Sequence, residues 1–145
     1  MVLEGRILKD GRFWLAEIPV LDAMTQGLTK GELQKMIIDL IRTMMDKPQA
    51  KVTVRLTGKT EFEVTVSPSG AILPVVLRRQ RVKHGLTIRE VAENLGYTNH
   101  NNYSTYESGK TEPSVAKFEE LLGGILPKKK KSKFEQVILK VAVGG

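Results

Sequence analysis

The sequence predicts an α+β protein, with a β-β-α-β-β layer in residues 1–70 and an all-α segment in residues 71–145 that ends in a strand. Three observations point to this. Two pairs of short apolar runs flank the tight-turn signals Asp10-Gly11 and Gly58. Between them, residues 29–44 repeat apolar side chains at the three-and-four spacing of one helical face. After Pro74 several short helical stretches are punctuated by Gly85, Gly96 and Gly109.

The first run, Val2 to Leu8, and the second, Phe13 to Ile18, are joined by a dipeptide suited to a hairpin, so two antiparallel strands are expected. Pro19 ends the second strand, and Val20 to Leu28 reads as a connecting loop. Thr29 and Glu32 fit a capping box for a helix with Leu33, Met36, Ile37, Leu40, Ile41 and Met44 on one face. A second hairpin follows, with Val52, Val54, Leu56 and Phe62, Val64, Val66 turned to the same side. The helix then covers one face of a small sheet. Ser67-Pro68-Ser69-Gly70 is expected as a hinge, and Pro74 opens a helix carrying Leu77 and Val82 inward.

Thr87 can cap the next helix, striped by Val91, Ala92 and Leu95, and Gly96 can end it. A further helix is expected from Asn101 to Ser108, and another after Ser114 with Val115, Phe118, Leu121 and Leu122 as its apolar face. Lys128 to Lys131 form a basic run. Val137, Leu139, Val141 and Val143 then alternate like a strand, which must join a sheet or pair with its twin in a dimer.

The chain holds 145 residues and no cysteine, which excludes disulfides and thiolate metal sites. Residues 1–70 hold ten Lys/Arg against nine Asp/Glu, whereas residues 71–145 hold thirteen against seven. The asymmetry places polyanion binding in the second half. No apolar run approaches the length of a membrane span, and the N-terminus lacks the order of a signal peptide, so a cytosolic protein without membrane contact is expected.

Residues 86–113 have the layout of a helix-turn-helix. On that reading Asn99, His100, Asn101, Asn102, Ser104 and Thr105 face the major groove of double-stranded operator DNA, because amides and hydroxyls can bond base edges. Arg78, Arg79, Lys83, Arg89 and Lys110 neutralise phosphates and set the register. A helical hairpin with a merely solvated polar face would show a similar pattern, but the charge bias and the glycine spacing favour DNA.

From Leu77 to Leu122 the chain resembles the Cro/repressor-like (Xre-type) helix-turn-helix family, whose Glu-x-Gly-Lys-x-x-Pro-Ser ending is similar to Glu107 to Ser114 here. The resemblance implies a bundle of about five helices. It also implies an internal salt bridge between Arg81 and Glu107. Two departures are visible: one extra residue between Gly96 and Glu107, and Ile88 where relatives often carry glutamine.

Residues 1–67, through Phe13-Trp14, Ala16-Glu17-Ile18-Pro19, Thr25-Gln26-Gly27 and Thr29, are similar to the HicB family of antitoxins. The Asn-x-Tyr-x-x-Tyr-Glu pattern at Asn101 to Glu107 is similar to HicB proteins with an Xre-type second domain. The resemblance implies a degraded RNase H-like layer that binds a small HicA-like RNase toxin, and a second domain that represses the shared operon. Candidate toxin contacts are Phe13, Trp14, Asp22 and Met24; for Trp14, packing against the helix at 29–44 is the favoured alternative. Leu21-Asp22-Ala23-Met24 departs from the Leu-Pro-Gly-Cys of many relatives.

Asp10, Glu17 and Asp22 are the carboxylates near the first hairpin, too sparse for a two-metal nuclease. The sequence therefore predicts a binding protein that is not an enzyme and needs no cofactor or metal. It is expected to be a homodimer or higher oligomer. The alternatives are a solitary regulator, whose first domain oligomerises or senses a ligand, and a nuclease.

Overall fold

The computed structural model describes residues 2–127. The expected strand at 137–143 and the basic run at 128–131 lie outside the described residues. Within them the chain forms strands β1 (Val2–Asp10), β2 (Phe13–Ile18) and β3 (Ala23–Gly27), and helix α1 (Lys30–Met45). Strands β4 (Lys51–Leu56) and β5 (Glu61–Ser67) follow, then helices α2 (Leu73–Lys83), α3 (Ile88–Asn94), α4 (Asn101–Glu107) and α5 (Val115–Gly123). The architecture is α+β, with a five-stranded antiparallel sheet of order β3-β2-β1-β5-β4.

Alternation builds one face of this sheet. Leu3, Ile7, Ala16, Ile18, Phe62, Val64 and Val66 are all buried, and α1 lays Leu33, Ile37, Ile41 and Met45 into the same core. Thr29 caps the helix, accepting from the Glu32 backbone N–H at 3.0 Å, while the Glu32 carboxylate accepts from the Leu28 N–H. Val52, Val54 and Leu56 pair with Val66, Val64 and Phe62, as expected of the second hairpin.

The sheet has one strand more than the sequence predicts. Residues 20–28, expected as a loop, form a 3-10 turn at Pro19–Leu21 and the edge strand β3. Ala23-Met24-Thr25-Gln26-Gly27 has a single β-branched residue, Thr25, and no aromatic one, so little marks it as a strand. Its inward positions are small because α1 passes close by. A Cβ built on Gly27 would meet the Leu33 backbone nitrogen at 2.7 Å, and backbone cannot give way as a flexible side chain can. Gly27→Ala is therefore expected to cost about 2 kcal/mol, the range for overpacking a rigid site, measured as a lower denaturant midpoint at unchanged slope.

Helix α2 joins the two halves through Leu73, Val76, Leu77 and Gln80, which share one stripe and are buried. Val82, expected to point inward, is 56% exposed, because it lies off this stripe. The position inside is taken by Gln80, 1% exposed. Its amide donates to the carbonyls of Val20 (2.9 Å) and Pro19 (3.4 Å). Neighbouring Arg79 donates to those of Leu21 (2.9 Å) and Asp22 (2.7 Å). Two adjacent side chains thus satisfy four consecutive carbonyls at the end of the first sheet hairpin. The expected hinge at 67–70 runs directly into this docked helix, and Glu112 from the loop after α4 packs over Gly70.

Candidate nucleic-acid interface

Local hydrogen bonds mark the starts of helices α3 and α4. Thr87 Oγ1 accepts from the Glu90 N–H at 3.1 Å and the Glu90 carboxylate accepts from the Thr87 N–H at 3.2 Å, a full capping box. Gly96, with φ +77°, turns the chain where a side chain would be strained. Asn99 Oδ1 then accepts from the Asn101 N–H at 2.9 Å and starts α4. After Gly109, Ser114 caps α5, accepting from the Lys117 N–H. Phe118, Leu121 and Leu122 of α5 are buried; Val115, expected on the same face, is 54% exposed at the first turn.

Tyr103 anchors α4 in the core with no exposed surface. Its hydroxyl makes no hydrogen bond among the described residues, and burial, then the nearby Glu107 carboxylate, raise its pKa far above the ordinary tyrosine value. Glu107 faces Arg81 of α2: Arg81 Nε donates to both carboxylate oxygens at 3.0 Å and Nη2 to Oε1 at 2.6 Å. The remaining arm, Nη1, donates to the Leu86 carbonyl at 2.9 Å. One guanidinium therefore joins the end of α4, the end of α2 and the chain entering α3. The Glu107 hydrogen bonds raise the arginine pKa further above its ordinary value, against the opposing effect of burial.

What remains outside is a shallow groove of about 550 Å³ between the start of α3 and the outer face of α4. Arg78, Ile88, Asn101, Ser104, Thr105, Ser108 and Lys110 line it, with Glu107 at its base. Positions 101, 104, 105 and 108 are spaced as one helical face. A smaller hollow of about 270 Å³ on the other flank is lined by Arg89, Glu93, Tyr97, Thr98 and His100.

The structure divides the expected base-reading set by what each side chain already does. Ser104 Oγ donates to the Asn101 carbonyl at 3.4 Å, and the Thr105 and Thr111 hydroxyls share a bond of 2.8 Å. Asn99 holds the turn. The side chains of His100, Asn101 and Asn102 are exposed and make no hydrogen bond among the described residues. Asn101 shares the groove with Ser104 and Thr105, His100 lines the second hollow, and Asn102 lines neither.

The five expected phosphate contacts separate in the same way. Lys83, Arg89 and Lys110 are exposed and form no ion pair among the described residues. Arg78 is exposed beside the groove and donates to the Met44 carbonyl at 3.2 Å. Arg79 is turned the other way, its guanidinium occupied by the Leu21 and Asp22 carbonyls. Of the other groove-lining residues, sequence reasoning noted Ile88 only as a departure, at a position where relatives often carry a DNA-contacting glutamine, and missed Ser108. The signal was position alone, Ser108 lying seven residues, about two helical turns, beyond Asn101 and Ile88 beginning the capped helix.

In the sheet layer the candidate contacts do not form one patch. Phe13 and Trp14 are successive strand residues and point to opposite faces. Trp14 lies on the α1 side, with the ammonium groups of Lys9 and Lys30 at 4.3 and 4.9 Å from its ring centroid. Phe13 and Met24 share the opposite face, Met24 being 55% exposed across from Glu17. Asp22 is exposed in the left-handed conformation (φ 48°) at the exit of the 3-10 turn. Asp10 and Asp22 sit at opposite ends of β2, Glu17 pairs with Arg6 at 3.3 Å, and no group of three metal-ligating side chains is found among the described residues. None of the described helices is long and apolar enough to cross a membrane.

A family model described as helix-turn-helix matches residues 77–123, which span α2 from its middle to the end of α5. No curated protein and no solved structure matches the chain. The chain thus carries a helix-turn-helix at residues 77–123, and that segment suggests a DNA-binding transcription regulator.

Proposed function

We propose that this chain is the antitoxin of a HicA/HicB-like pair, acting in the cytoplasm by binding rather than catalysis and without a cofactor. Residues 1–70, read as a degraded RNase H-like layer, occlude a small RNase toxin. Residues 71–145, read as a Cro/repressor-like module, bind palindromic operator DNA as a homodimer or larger assembly and repress the shared operon. The observation that carries the DNA half is the groove beside α4. Its exposed Asn101 amide has no hydrogen-bond partner among the described residues, and exposed Lys83, Arg89 and Lys110 lie on the same module. Asparagine can bond N6 and N7 of adenine, lysine and arginine supply affinity through phosphates, and dimer geometry sets half-sites roughly 34 Å apart.

The toxin half rests on the resemblance of residues 1–67 to HicB antitoxins, with Phe13, Met24 and Asp22 at the open side and turn of the sheet as contacts. Trp14 serves the layer itself on this reading, held between two lysines. The test is binding of the full chain to DNA upstream of its own gene, followed by Asn101→Ala. Operator affinity is expected to fall roughly 10- to 100-fold, the worth of one bidentate base contact, with random-sequence DNA little affected. Equal losses on both DNAs would remove Asn101 from the base-reading set, and no binding at all would end the repressor reading. Stoichiometric silencing of a small RNase encoded beside the gene tests the antitoxin half; failure to bind it leaves a solitary regulator.

A further inference from the structure

Among the side chains lining the groove beside α4, Ile88 alone is apolar. It is the first residue of α3 and half-buried, packed in part against the core. Its placement is fixed twice. The Thr87–Glu90 capping box holds the first turn of α3, and Arg81 donates to the Leu86 carbonyl two residues earlier while gripping Glu107 of α4. Ile88 and Asn101 are therefore presented to the groove together, at a spacing set by one arginine.

We propose that Ile88 is a specificity-determining residue that reads the C5-methyl group of a thymine beside the base pair met by Asn101. The inference rests on the DNA-binding reading above and specifies its ligand. Of the groups that base pairs display in the major groove, the thymine methyl is the apolar one; cytosine shows an amino donor and purines show acceptors at the corresponding edges. A branched aliphatic side chain offers those polar groups no hydrogen bond and would strip their water, whereas against a methyl group it removes apolar surface from water on both sides. The polar residues around it can serve any base; Ile88 favours one.

The test uses an operator selected by the full chain from a random-sequence pool, with each thymine replaced in turn by deoxyuridine, which lacks only the methyl group. Wild type is expected to show one thymine per half-site at which the replacement weakens binding roughly fourfold, the size expected for one buried methyl group. In Ile88→Ala the thymine-to-uracil ratio at that position falls to about one, while the operator is still bound in preference to random DNA. Ile88→Gln is expected to move the preferred base at that position away from thymine. The ratio is taken within each protein, so a change in stability does not imitate the effect. Equal binding of thymine and uracil at every position by wild type, or a ratio that survives in Ile88→Ala, overturns the assignment and leaves the DNA-binding reading standing. A wild-type chain that selects no operator overturns both.

Discussion

Glu107→Ala is expected to lower the unfolding free energy by about 3 kcal/mol, the low end for breaking a buried ion pair by removing one partner. The carboxylate side chain is 6% exposed and the arginine side chain 16%, so water can replace little of what is lost. Three hydrogen bonds disappear at once. The guanidinium cannot relieve the loss by giving up its proton, since its ordinary pKa is already far above any working pH. The loss should appear as a lower urea midpoint with an unchanged slope. The double variant Arg81→Met, Glu107→Leu is expected to recover much of the stability, because a packed apolar pair carries no desolvation cost. A single variant that melts like wild type would show that the pair is worth no more than a surface ion pair.

Gln80→Leu combined with Arg79→Ala is expected to remove about 3 kcal/mol and to disturb cooperativity between the sheet layer and the helices. The four carbonyls from Pro19 to Asp22 lose the donors that α2 supplies; Pro19 keeps the Asp22 N–H at 3.0 Å, and each buried acceptor left unpaired costs roughly 1–3 kcal/mol. The Asp22 carbonyl is partly solvated in an exposed residue and should contribute least. Leucine fills the volume of Gln80, so at that position the variant tests hydrogen bonding, whereas Arg79→Ala also removes the packing of its aliphatic stem. Amide exchange should quicken first in residues 19–22, and unfolding followed in the two halves should give separate midpoints. A single shared transition at the wild-type midpoint would show that apolar contacts of α2 alone hold the halves together.

Much of the fold was legible because its signals are local. The capping residues Thr29, Thr87 and Ser114 announce helix starts, glycines at 85, 96 and 109 announce ends, and alternation from 51 to 66 announces a hairpin. What escaped is decided by distant neighbours. The edge strand β3 exists because β2 offers it a ladder, and its small residues answer to α1 rather than to strand propensity. Gln80 is buried and Val82 exposed because the sheet hairpin meets one side of α2, and polarity alone gives no sign of that. Arg79 looked like Arg78 in sequence; their different tasks come from the carbonyls each one faces. Around α4 the sequence singled out a polar stretch but could not say which hydroxyls were already occupied within the protein.

Residues 79, 80 and 81 face two ways from one turn of α2: the first two hold the sheet hairpin, and the third holds the end of α4 and the entry to α3. Three consecutive side chains leave little play between those grips. A turn of the sheet layer is then a turn of α4, like two gears keyed to one shaft. On the proposed function, the azimuth of the sheet about the duplex would be set by that shaft, and so would the side from which any body docked on the sheet approaches the DNA.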